Sequence, residues 1–156
     1  MNEYSLAKVQ LITKHFIIMS WNKNERIPKE EIQNKVTDVT VRFAKDFGDY
    51  LAERDDNAEP LSTSQLRKFF GEVKRQQMIG YNDTEFVMLK PKLAYAVGRA
   101  KQNGNKFRGY KIADFYEVLA DAIDKVQSSS DKQKAFKNFI TAFEAIVAYH
   151  KAAEKK

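Results

Sequence analysis

A chain of 156 residues has room for one domain, and with 43% hydrophobic and 31% charged residues its composition is globular rather than disordered or fibrous. The absence of Cys excludes a disulfide scaffold, a thiol nucleophile and a thiolate metal site, and six Gly with three Pro are too few to punctuate an all-β sandwich or barrel. The net charge of +6 is unevenly placed: residues 1–60 carry 9 Lys/Arg against 11 Asp/Glu, residues 61–111 carry 11 against 3, and residues 112–156 carry 7 of each.

Apolar residues recur at helical spacing along nearly the whole chain. Leu6, Val9, Ile12, Phe16 and Met19 make a first stripe, and Ile32, Val36, Val39, Phe43, Phe47 and Tyr50 a second. Between them, Pro28 followed by Glu30 and Glu31 suits a first helical turn, where Pro has no donor to lose and carboxylates meet the positive end of the helix dipole. Ser62-Thr63-Ser64 offers capping oxygens to a third helix with Leu66, Phe69, Phe70 and Val73 on its apolar face. Gly80 and Asn82 then break the pattern. A fourth stripe runs through Phe86, Leu89, Leu93, Val97 and Ala100, and Pro91 places the start of its helix near Lys90, after a short turn over residues 84–89.

After Gly104 and Gly109, a fifth stripe holds Ile112, Phe115, Tyr116, Leu119, Ile123 and Val126. Ser128 to Asp131 caps a sixth, with Phe136, Phe139, Ile140, Phe143, Val147 and His150. No useful stretch alternates with period two. The expected fold is all-α: a single compact bundle of five to six amphipathic helices over residues 1–156, with 61–111 as its basic segment. The eleven Phe, at helical spacing, belong to the core rather than to a base-stacking platform. Trp21, the only Trp, reads as a lid over that core or as an anchor for a partner.

The longest unbroken apolar run, Phe16 to Met19, is far short of the roughly 18 residues of a membrane span. The N-terminus lacks the order of a signal peptide, so a soluble, cytoplasmic protein without membrane partners is expected. Catalytic signatures are equally scarce. His15 and His150 lie on different helices, with no second ligand at metal-binding spacing, and His150 falls on an apolar face, as a packed histidine does. Asp55-Asp56-Asn57 lacks the central Gly and terminal Glu of a calcium loop. No phosphate loop or nucleophile elbow occurs, and neither catalysis, nor a metal, nor a cofactor is expected.

The third helix carries the strongest functional signal. Arg67, Lys68, Lys74 and Arg75 fall within an arc of about 120°, opposite the apolar face. Gly71 sits in that arc, where Gly costs about 0.5–1 kcal/mol relative to Ala. It makes room either for a polyanion or for a crossing helix. The fourth helix adds Lys92 and Arg99 on one edge of its stripe and Lys90 and Lys101 on the other, and the following linker brings Lys106 and Arg108. Ten cations against Glu72, Asp83 and Glu85 point to contact with nucleic-acid backbone, which positions a ligand without reading bases. Tyr95 is the one aromatic left to stack on a base.

These same residues resemble a known family. Leu61-Ser62-Thr63-Ser64-Gln65-Leu66-Arg67-Lys68-Phe69-Phe70-Gly71-Glu72-Val73 is similar to the leading motif of the small subunit of type III-A CRISPR effector complexes, the Csm complexes. Leu89-Lys90-Pro91-Lys92-Leu93-Ala94-Tyr95-Ala96-Val97-Gly98-Arg99 resembles its second motif, and Phe143 to Lys151 its C-terminal helix. The resemblance implies a non-catalytic helical subunit in antiviral defence, stacked head to tail in several copies along a guide RNA, with the cleaving and signalling chemistry in other subunits. It also implies RNA-binding roles, toward guide and target RNA, for Arg67, Lys68, Lys74, Arg75, Lys90, Lys92, Arg99 and Lys101.

Two other readings stay open: a general helical nucleic-acid-binding protein, which sequence-specific DNA binding would reveal, and a structural adaptor for an acidic protein. Steep loss of binding between about 50 and 200 mM salt separates phosphate binding from the adaptor. In a head-to-tail filament, the acidic first third is expected to meet the basic middle of the next copy. Reversal of Asp46, Asp49 and Glu53 to Lys tests that contact.

Overall fold

The computed structural model describes residues 21–54, 59–102 and 110–154. Among them the chain forms α1 (Lys29–Gln33), α2 (Asp38–Ala52), α3 (Thr63–Ile79), α4 (Asp83–Val87), α5 (Leu89–Gln102), α6 (Tyr110–Gln127) and α7 (Lys132–Glu154), and no strand. This is the expected all-α bundle, with five long helices and two single turns. The first predicted stripe (Leu6 to Met19), His15, Asp55-Asp56-Asn57, Gly104, Lys106, Arg108 and Gly109 lie outside the described residues.

The local signals act as their chemistry dictates. Ser62 Oγ accepts from the Gln65 amide at 3.1 Å, and Gln65 Oε1 accepts from the Ser62 amide at 3.1 Å, a reciprocal cap on α3. Gly80 ends that helix at φ +96°, a conformation open to residues without a Cβ. Asn82 Oδ1 caps α4 through the Glu85 amide at 2.9 Å, and Asp131 Oδ1 caps α7 through the Lys134 amide at 3.1 Å. Pro91 lies in the first turn of α5, as expected, with Met88 separating it from α4.

The second predicted stripe requires correction: Ile32 and Tyr50 lie on two helices, not one. The chain leaves α1 after Gln33 and re-enters at Asp38. Buried Glu31 holds this corner. Its carboxylate accepts from the Thr37 amide (2.8 Å) and hydroxyl (2.7 Å) and from the Thr40 amide (3.1 Å) and hydroxyl (2.7 Å). Burial alone would push its pKa up, but the bonds from Thr40 and Thr37 outweigh burial and leave it below the ordinary value.

The long α7 is the spine, with α1, α2, α3 and α6 packed around it. Its Phe136, Phe139 and Phe143 are buried. Phe86 of α4 meets Phe139 edge-on at 5.1 Å between ring centroids, and Phe115 of α6 meets Phe143 at 5.7 Å. Every described Phe is buried except half-buried Phe70, so these rings belong to the core as expected. Trp21 is a lid: 6% exposed, its ring lies 4.8 Å from Phe47 and 5.1 Å from Tyr50.

His150 is fully buried. Its Nε2 stands 2.7 Å from the Leu61 carbonyl and, facing an acceptor, carries the proton. Buried Lys111 ties α6 to α2 by donating to the Tyr50 carbonyl at 2.7 Å, while the Tyr50 hydroxyl donates to Asp114.

Candidate nucleic-acid interface

Helices α3 and α5 are joined through α4 but do not close on one another. Between them lies an open cleft of about 820 Å³. From α3 come Lys68, Phe69, Gly71 and Glu72, and from α5 Lys92, Tyr95 and Arg99, with Met88 and Pro91 beside them. The cleft arises from the helical registers. Lys68 and Glu72 are one turn apart on α3, and Lys92, Tyr95 and Arg99 recur at steps of three and four on α5. Of the basic arc expected on α3, Lys68 and Gly71 line the cleft while Arg67, Lys74 and Arg75 do not, and on α5 both Lys92 and Arg99 of one expected edge line it.

Gly71 lies at the same place. Among the described residues a Cβ added there would have nothing within 4 Å, so no described helix makes the crossing that was one of its two readings. The close crossing uses Gly48 instead, which spacing did not single out. A Cβ there would fall 2.8 Å from Tyr149 Cβ and 2.9 Å from both the His150 amide nitrogen and the Ile146 carbonyl oxygen.

The eight expected contact residues divide into four groups. Arg67, Lys68, Lys74 and Arg99 form no salt bridge with a described residue. Arg67, Lys68 and Arg99 are exposed, and Lys74 is half-buried with its ammonium 5.8 Å from the centre of the Phe70 ring. The Arg99 guanidinium stands 6.0 Å from the centre of the Tyr95 ring, itself 68% exposed.

Arg75 and Lys92 are drawn to one carboxylate. Arg75 donates to Glu72 through Nε at 3.0 Å and Nη2 at 2.9 Å and reaches Glu85 at 3.4 Å, while Lys92 Nζ lies 3.3 Å from Glu72. The Arg75 bonds, aided by Gln76 and Lys92, hold the Glu72 pKa down at about 2, and Arg75 is raised in return. Glu72 thus organises the floor of the cleft. It is the only carboxylate on α3, three residues from Arg75, and that spacing is the signal that could have revealed its role. Lys90 turns the other way, to Asp124 of α6 at 2.7 Å. Lys101 lies in the last turn of α5, and its side chain is outside the described residues.

Among the described residues no cluster of His, Asp and Glu could hold a metal ion, and no helix is long and apolar enough to cross a membrane. The geometry defines a helical module with a cationic, partly apolar cleft. The family model described as Csm2 Type III-A matches residues 33–156, and the chain belongs to that family, the small subunit of the type III-A CRISPR effector (Csm) complex. Other Csm subunits are therefore its partners. No curated protein and no solved structure matches the chain.

Proposed function

We propose that this subunit is non-catalytic and holds the sugar–phosphate of guide and target RNA along the α3–α5 face, several copies stacking head to tail within the complex. The carrying observation is that Lys68 and Arg99, which line this face, and Arg67 and Lys74 elsewhere on α3 form no salt bridge with a described residue. A cation already paired at home gains little from a phosphate, whereas an unpaired one releases counterions on contact. Base pairing between guide and target supplies the sequence selectivity that backbone contacts lack.

The test replaces Arg67, Lys68 and Lys74 together with Ala. RNA binding is expected to weaken for all sequences alike, and the slope of log affinity against log salt to flatten by about 0.7–0.9 per cation removed. Arg75→Ala flattens it less, because Glu72 and Glu85 already engage that guanidinium. Base-selective loss, or an unchanged slope in the triple variant, overturns the reading.

A further inference from the structure

The cleft holds more than phosphate chemistry requires. A backbone contact needs cations on an exposed surface, yet here the cations rim a recess walled by Phe69, Met88, Pro91 and Ala96. Beside that wall the Tyr95 ring lies 68% exposed, with Arg99 set against it. Gly71 keeps the α3 bank bare at a position where a Cβ would touch no described residue, so packing among the described residues does not explain the choice of Gly. Lys68 and Arg99 stand on opposite banks without a salt bridge to a described carboxylate.

A ligand that suits all four features has a flat apolar face and negative charge on both sides of it. We propose that the α3–α5 cleft takes up one unstacked base of a single-stranded RNA nucleotide, laid against Tyr95, while Lys68 and Arg99 meet the phosphates flanking it. The inference rests on the backbone-binding reading and adds to it a site that engages the base. Any base presents such a face, so the site adds affinity without sequence selectivity. A bare phosphate chain leaves the apolar wall unused.

The test uses the full-length chain at low salt with two strands of equal length and charge, an oligouridine and its abasic counterpart. Oligouridine is expected to bind roughly tenfold or more tightly than the abasic strand. Tyr95→Ala and, independently, Gly71→Leu, which fills the recess from its open side, bring oligouridine down to the abasic level. Neither moves the salt slope, and Tyr95→Phe keeps the preference. Equal binding of the two strands, or no effect of both variants, overturns the base site. The backbone reading then still stands if the Arg67, Lys68 and Lys74 replacements weaken both strands. No binding of either strand overturns both. Self-association that is abolished by Gly71→Leu assigns the cleft to a second copy and likewise overturns the proposal.

Discussion

Gly48 and Gly71 each sit inside a long helix, each at the same intrinsic cost to that helix, and their surroundings are opposite. At Gly48, α2 and α7 approach until only hydrogen fits, and two of the three nearest atoms belong to the α7 backbone. At Gly71, on the bank of a cleft, no described residue lies within 4 Å of where a Cβ would stand. The first region is a dry seam in which close packing holds two helices together, and the second is a surface left unfinished. A residue that looks identical in sequence is structural in one place and available for function in the other.

The sharpest way to break this comparison is Gly48→Ala. Backbone atoms cannot swing aside as a flexible side chain can, so the helices must separate, at about 1–3 kcal/mol. Thermal unfolding should show a midpoint lower by roughly 2–12 °C. An unchanged midpoint would mean that the seam is looser than its geometry implies.

The next effect lies at the corner between α1 and α2. Glu31→Gln replaces an all-acceptor carboxylate facing four donors with a group that is itself half donor, and should cost about 2 kcal/mol in denaturant unfolding. The pKa shifts add a pH dependence. Glu31 lies below its ordinary 4.5 and Glu72 is at about 2, so both bind protons more weakly folded than unfolded. The stability they contribute is complete above about pH 4.5 and is lost as pH falls from there toward 2. Glu31→Gln should flatten that decline.

The smallest effect runs the other way. Gly71→Ala meets no described neighbour and removes the helix penalty, so stability should rise by about 0.5–1 kcal/mol, read as a gain of a few degrees. Destabilisation there would bring the two glycines back into one class.

Much of the fold was legible from near neighbours. The Ser62–Gln65 cap, the stop at Gly80, the start of α5 around Pro91 and the apolar faces all depend on residues within a turn or two of each other. The break between α1 and α2 was hidden for a similar reason: Ile32 and Tyr50 keep a helical rhythm through it, and only the threonines gathered on Glu31 show that the chain turns. At the candidate interface, periodicity separated Lys92 and Arg99 from Lys90 and Lys101 but had no means of naming the helix that each edge would face.

By itself the sequence determined an all-α chain, the apolar face of each helix and a basic arc on α3, since helical period, capping and charge are properties of short stretches. Only the tertiary structure decided that the Lys92–Arg99 edge meets α3, that Lys90 goes to Asp124, that Glu72 gathers Arg75 and Lys92, and that Gly48 rather than Gly71 lies at a crossing. Those outcomes follow from how helices cross and at what distance, and that geometry is set by the packing of residues far apart along the chain.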